Sequence, residues 1–399
     1  MSLSSRTRII FVDDEPVILE LLQLSLSSMK GEWEATMAQS AEEVLALMEK
    51  NPADVVVSDM NLPGMSGGQL LNEIMRRYPA TIRIILSGYG DTEQVMRCVG
   101  ATHQFLAKPF KLSELKAALK RIRGLKDRIA SPEIRKVVAR KEYLPTLPAV
   151  YFRILEALQE AESSVETIAK AVATDPGLTT KILQLVNSAF LGYGGQVSSA
   201  EEAILLLGTG TIRSLALTLR MFSAFDISQP EKRSLERVWN HSVRVGRLAQ
   251  RIAKVEGGDD KLAEEAFTAG LLHDIGKLAL ADNSALGYVE LMARAEEVKR
   301  PLIEIEREAF QATHAEVGAY LLDLWGLPLP LVEAVALHHE PGKTDAPCFN
   351  SLTAVHVANA LESEASMPES LSQGLDLQYL DRLGLQSRLD AWRAELSEI

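Results

Sequence analysis

Four apolar runs in the first third of the chain constrain the fold most: "RIIFVDDE", "DVVVSDM", "TIRIILSGYG" and "HQFLAKPF". Each is nearly continuous in apolar residues, rich in β-branched side chains, and stops at a polar residue capable of chemistry. Between them lie stretches of helical period such as "PVILELLQLSLSSM". Strands buried on both faces read this way, so residues 8 to about 110 predict a parallel α/β sheet covered by helices on both sides. Working residues of such sheets gather at the carboxyl ends of the strands. Here those ends carry Asp13, Asp14, Asp59, Ser87 and Lys108.

That set has a chemical logic. Three carboxylates converging on one crevice repel each other, and a hard cation such as Mg²⁺ relieves the repulsion. A carboxylate beside bound Mg²⁺ can accept a phosphoryl group. A Lys can pair with the phosphoryl oxygens and a Ser hydroxyl can donate to one of them. The bland alternative is a solvated cluster of strand-end acids. Acids at two strand ends, with Ser and Lys at two more, favour the phosphoryl site.

In "VDDE", "SDMNLPGMSG", "LSGYG" and "LAKPF" this stretch resembles the receiver domain of two-component response regulators over about residues 6 to 125. The resemblance implies a doubly wound five-stranded parallel sheet, with Asp59 as phosphoacceptor and a histidine kinase as partner. It also implies Mg²⁺ held by Asp14 and Asp59, by Asp13 through water, and by the backbone carbonyl of Asn61. Ser87 and Phe105 fall at the family's switch positions, and Lys108 precedes Pro109, expected after a cis bond. His103 has no role in the pattern and reads as a surface residue.

At 399 residues the chain is too long for one ordinary core, so two or three domains are expected. Its 47% apolar and 24% charged residues suit a globular protein. A formal charge of −12 argues against general nucleic-acid binding, which needs a basic footprint. Cys98 and Cys348 form no metal or redox spacing, consistent with a reducing compartment. "MSLSSRTRII" lacks a secretory h-region, and no run is long enough to cross a membrane. A cytoplasmic protein is expected.

Residues 111–141 hold 11 Lys and Arg against 3 Asp and Glu. Leu112, Leu115, Leu119, Ile122 and Ile129 form a stripe at three-four spacing. This predicts the last receiver helix extended outward, then a second helix started by Ser131 and Pro132. The stripe either packs on its own domain or joins two protomers in a coiled coil. The boundaries read as a receiver at 1–125, a helical linker at 126–142 and an output domain at 143–399.

From Tyr143 onward the pattern is all-helical, in "AVYFRILEALQEA", "SVETIAKAVAT", "LTTKILQLVNSAF" and "TIRSLALTLRMFSAF". "AEEAILLLGTGTIRSLAL" has the outline of a helix-turn-helix but few basic groups in its second half. Six of the seven histidines follow residue 240. By helical phase His241, His314, His338, His339 and His356 face inward, His356 sharing a face with Asn359. Several buried imidazoles need partners, which a hydrogen-bonded core or a shared metal centre would supply.

His241, "HD" at 273–274, His314 and "HH" at 338–339 resemble the HD superfamily of metal-dependent phosphohydrolases. "LPTLPAV", "DPGLTTKILQLVNSAF", "VSSAEEAILLLG", "VWNHSVRVGRLAQ", "AGLLHDIGKLAL", "THAEVGAYLL" and "VHVANAL" resemble its HDOD branch over about 140–399. The branch implies a large all-α domain adapted to signalling. Three departures bear on the metal set of His241, His273, Asp274, His314, His338, His339 and Asn359. Asn359 stands where the superfamily has an Asp. "HHEPGKTDAP" lacks the Gly-Tyr-Pro motif of cyclic-dinucleotide hydrolases. Arg237, one turn before His241, adds a cation.

The expectation is therefore a response regulator phosphorylated on Asp59 by a histidine kinase. Its HD-like site should hold divalent metal weakly or not at all, and its output domain should bind a downstream protein or a second copy. The alternative is a phosphorylation-controlled, metal-dependent phosphohydrolase of a cyclic dinucleotide. Membrane or nucleic-acid partners are not expected.

Overall fold

The computed structural model describes residues 6–27, 33–88, 98, 100–109, 112–129, 131–139, 165–187, 197–208, 229–281, 286–366 and 374–396. The helices expected in "AVYFRILEALQEA" and "TIRSLALTLRMFSAF", and the second half of the helix-turn-helix outline, lie outside the described residues.

The first unit is the expected parallel sheet. β1 (Thr7–Val12), β2 (Trp33–Ala38), β3 (Val55–Asp59), β4 (Ile82–Ser87) and β5 (Gln104–Ala107) run in the order β2-β1-β3-β4-β5. All four pairings are parallel. The central strands are buried along their whole length, which is why their sequences show no alternation. Crossovers are made by α1 (Pro16–Ser27), α2 (Ala41–Lys50) and α3 (Gly67–Arg77). Ser40 caps α2, and Ser66 with Gln69 forms a capping box on α3. The Lys108–Pro109 bond is cis, as expected.

α4 (Leu112–Arg128) and α5 (Pro132–Ala139) connect to the helical unit. Leu115, Leu119, Ile122 and Ile129 are buried, but not as a stripe held for a second protomer. α4 packs on α1 of its own domain and on a helix of the output domain, so the chain covers the stripe itself. The described helices of the second unit begin with α6 (Val165–Val172), α7 (Pro176–Val186), α8 (Gln229–Val255) and α9 (Asp260–Leu272). They continue with α10 (Ile275–Ala281), α11 (Tyr288–Val298), α12 (Leu302–Phe310) and α13 (His314–Leu324). α14 (Leu329–Leu337), α15 (Ser351–Ser366), α16 (Leu377–Arg382) and α17 (Leu389–Leu396) complete them. α8, α9 and α15 pack together as the centre of the unit.

The two units share one contiguous buried apolar cluster. Polar groups fix the seam. Gln104 donates its side-chain amide to the Leu324 carbonyl (3.1 Å), and Gln184 donates to the carbonyls of Thr102 and His103 (3.1 and 2.9 Å). Arg121 pairs with Asp323 and donates to the Leu327 carbonyl. Lys181 lies over the Trp325 ring at 4.6 Å.

His103 is not at the surface. It is 1% exposed; its Nδ1 accepts from the Arg83 backbone N–H (3.0 Å) and its Nε2 faces the Ala139 carbonyl at the end of α5 (3.1 Å). Both ring nitrogens are used by the neutral form. Burial, and then the Arg83 guanidinium, hold the imidazole well below its ordinary value of 6.5. The unfolded chain therefore binds a proton that the folded chain refuses. This contribution to stability is complete above pH 6.5 and is lost as pH falls below it. In urea unfolding of the full chain, the stability lost between pH 7.5 and 5.5 is expected to shrink by about 1 kcal/mol in His103→Gln. An unchanged loss would contradict this account of His103.

Candidate functional site

The strand ends of the sheet bring the predicted acids together. Asp13 follows β1 and Asp59 closes β3; they are 0% and 6% exposed, and Asp14 beside them is open to solvent. Lys108, just past β5, places its ammonium 2.7 Å from Asp13 Oδ2 and in contact with Asp59 Oδ1. Burial would lower the lysine's pKa, but its bonds to Asp13 and Asp59 outweigh this and raise it. Asp59 Oδ2 also accepts from the Asn61 backbone N–H (2.8 Å). The Ser87 hydroxyl, at the end of β4, is fully buried and has no hydrogen-bond partner among the described residues. Phe105 is buried on β5. Gly67 makes the close approach possible, since a Cβ there would stand 1.8 Å from the Asp59 carbonyl oxygen. The donor set is all oxygen and suits a hard cation.

The helical unit gathers the second set. His241 projects from α8. His273 and Asp274 sit at the junction of α9 and α10, and His314 opens α13. His338 and His339 follow α14, and Asn359 lies on α15. Ligand atoms of His241, His273 and Asp274 lie within 4.8 Å of one another, as do those of His314, His338 and His339. Asp274 Oδ1 joins the two triplets, facing His314 Nε2 at 3.2 Å, and His314 Nε2 is 3.0 Å from His339 Nε2. Gly276 and Gly318 let α10 and α13 touch along their backbones. A Cβ on Gly276 would meet the His314 carbonyl oxygen at 1.9 Å.

Tautomers follow from the partners. His273 Nδ1 lies 2.7 Å from the Gly270 carbonyl and His338 Nδ1 lies 2.8 Å from that of Val335. Carbonyls only accept, so each Nδ1 carries the proton and each Nε2 presents a lone pair to the site. Among the described residues neither Nε2 has a hydrogen-bond partner, nor does His339 Nδ1. Burial holds His273 down at about 4 and His338 well below the usual range. Burial alone would raise Asp274, but His273, Lys277 and His314 together hold it well below the carboxylate range.

Three groups at the site were not singled out as members in the sequence. Glu306, fully buried on α12, receives the His314 backbone N–H and faces His314 Nδ1 (both 2.9 Å), and also takes the Tyr288 hydroxyl (2.5 Å). Burial would lower His314, but Glu306 and Asp274 reverse the shift and raise it. Glu362 bonds His241 Nδ1 and is backed by Arg244 at 2.7 Å. Despite burial, those two partners bring Glu362 down to about 2. Lys277 pairs with Asp274 Oδ2 at 2.6 Å. Glu362 lies one helical turn beyond Asn359, the one signal that could have found it.

One expectation changes. Arg237 does not load the site with positive charge: it is exposed at the rim and pairs with Glu296 at 3.1 Å. The nearby cation is Lys277. His356 stays outside the site, its Nδ1 facing the His338 carbonyl (2.8 Å) and its Nε2 accepting from Asp376 N–H (2.9 Å). Asn359 Oδ1 lies 3.0 Å from His241 Nε2.

The model of the response regulator receiver domain matches residues 9–120, and that of the HDOD domain matches 144–341. The chain is a receiver–HDOD response regulator. The regulator is 25% identical over 337 residues to a cyclic di-GMP phosphodiesterase of Thermotoga maritima, covering 83% of this chain and 71% of that one. It is 35% identical over 113 residues to the response regulator protein PilR of Pseudomonas aeruginosa, 28% of this chain and 25% of PilR. Among solved structures it is similar to the MmoQ response regulator of Methylococcus capsulatus (29% identity, TM-score 0.48), covering 63% of this chain and 98% of that one. The regulator spans 21 to 39% of the length of three other curated matches, PilR among them. Among the described residues no helix is long and apolar enough to cross a membrane.

Glu306→Ala would leave His314 and Tyr288 without their buried partner. Loss of a buried charged partner costs about 3–5 kcal/mol. Urea unfolding is expected to show a loss of that order, and a loss below about 1 kcal/mol would contradict the role given to Glu306.

Proposed function

We propose that this chain is a phosphorylation-switched signalling protein. A histidine kinase in the cytoplasm donates a phosphoryl group to Asp59. The input domain is 1–125, the link 126–142, and the output domain 143–399, which passes the state on by binding a downstream protein or a second copy. The observation that carries this reading is Lys108 bridging Asp13 and Asp59, with a buried Ser87 hydroxyl that has no partner among the described residues. Mg²⁺ would be held by Asp13, Asp14, Asp59 and the Asn61 carbonyl, where it supplies charge neutralisation. The residues around it do the rest. Lys108 pairs with the arriving phosphoryl oxygens and the Ser87 hydroxyl donates a hydrogen bond to one of them.

A specific observation favours a second property of the output domain. Lone pairs on His273 Nε2 and His338 Nε2 are buried without partners among the described residues, which a hydrogen-bonded core does not explain. The imidazole and carboxylate ligands of each triplet suit a borderline divalent cation such as Mn²⁺ or Zn²⁺. Glu306 and Glu362, behind His314 and His241, raise ligand basicity and restore negative charge near the position of Asn359. Lys277 neutralises Asp274 and weakens the same site. The balance supports a cation held weakly, with protein binding as the main output. Phosphodiester hydrolysis, the activity named for the Thermotoga maritima relative, is the alternative.

With Mg²⁺ and a small-molecule phosphoryl donor, intact-mass measurement should show one added phosphoryl group on the wild type and none on Asp59→Asn. Full labelling of Asp59→Asn would refute the assignment. In Mn²⁺ titrations, Glu362→Gln is expected to lose affinity by about tenfold or more, and equal affinity would remove the cation reading. Multiple turnovers of cyclic di-GMP in Mn²⁺, abolished by Asp274→Ala, would replace the binding role with the hydrolase.

A further inference from the structure

α13 has its two ends in two different sites. Its first residue, His314, sits in the histidine cluster. Its last turn is gripped by the receiver, through Arg121 on Asp323 and Gln104 on the Leu324 carbonyl. Eleven residues span roughly 16 Å at the helical rise. The helix is built to move as a unit. Thr313 and Glu316 close a capping box at its start, and ten of its eleven residues are buried.

The receiver's grip is mechanically tied to the phosphoryl site. Gln104 opens β5, and Lys108 follows directly after its last residue. The strand between them covers roughly 13 Å. Phe105 lies next to Gln104, and β5 pairs in register with β4, where Ser87 stands opposite Ala107. Any shift of Lys108 or Ser87 toward a phosphoryl group on Asp59 therefore pulls on the strand that holds Leu324.

The far end is just as tightly tied. Gly276 of α10 lies against the His314 carbonyl with no room for a Cβ, and Gly318 lies against the Gly276 backbone N and Val335 of α14. α10 begins directly after Asp274, and α14 ends directly before His338. A small slide or tilt of α13 changes the spacing between His314, Asp274 and His339, now 3.2 and 3.0 Å. Packed interfaces of this kind shift between discrete arrangements rather than deforming continuously.

We propose that β5 and α13 act as two rigid levers in series, so that the phosphorylation state of Asp59 sets the geometry of the histidine cluster. This rests on Asp59 being the phosphoacceptor. Phosphorylation loosens the grip of Gln104 and Arg121, and α13 moves relative to α10 and α14. By linkage, a ligand that prefers one geometry of the cluster shifts the receiver by the same factor.

Hydrogen exchange read by mass spectrometry on the full chain tests this, with Mg²⁺ and beryllofluoride as phosphoryl mimic. In the wild type, amides in 268–281 and 312–322 should exchange at least threefold faster when the mimic is added, alongside changes in 55–62 that report loading. In Gln104→Ala the mimic should still load, but the response of the two distant segments should fall below half. Arg121→Met should do the same, and either variant suffices if the other does not fold. Loading without any distant response, or a distant response untouched in both variants, overturns the lever proposal and leaves the receiver reading standing. No change in 55–62, with none in Asp59→Asn either, overturns both.

Discussion

A guanidinium from one domain caps a helix of the other. Arg121 reaches from α4 to the C-terminal turn of α13, where it meets the Asp323 carboxylate and the Leu327 carbonyl. A carboxylate at a helix C-terminus opposes the helix dipole, and Asp323 is almost fully buried. Arg121 supplies a matching charge from the receiver side of the seam. The receiver thus contributes a charge to the last turn of a helix in the second unit. The apolar cluster that runs through both units follows the same seam.

The histidine cluster obeys a related rule, that buried charge is tolerated only when matched. Asp274 is held by Lys277 and by the imidazoles around it. Glu306 and Glu362 are matched by His314, and by His241 with Arg244. Replacing the superfamily's Asp with Asn359 therefore does not strip the site of negative charge. The carboxylates of Glu306 and Glu362 stand on the far nitrogens of His314 and His241. Such an arrangement keeps the rings oriented and their inner lone pairs exposed, while removing a charged ligand that would grip a cation directly.

Much of this was legible in the sequence. Continuous apolar runs gave away the parallel sheet because both faces of its strands are covered. Their polar ends gave away Asp13, Asp59, Ser87 and Lys108, because chain reversals in this topology leave that edge open. Helical phase placed His241, His314 and His338 inward. It placed His356 inward as well, where it is buried and meets the His338 carbonyl. Gln104 and Asp323 were not legible at all: an isolated polar residue at the end of an element looks the same whether it meets water or another domain. His103 failed for that reason too, its partner Arg83 being set by the pairing of β4 with β5 and Ala139 by the docking of α5. Glu306 precedes His314 by eight residues across a helix boundary, a spacing with no local geometric meaning.

The central claim is that the receiver's hold on α13 changes with the state of Asp59. A double-mutant cycle of Arg121→Ala and Asp323→Ala, by urea unfolding of the full chain, measures that hold directly. Run with and without Mg²⁺ and beryllofluoride, it reads the coupling in both states. The account predicts a coupling of about 2 kcal/mol without the mimic and less than about 0.5 kcal/mol with it. A coupling that is the same in both states would contradict it.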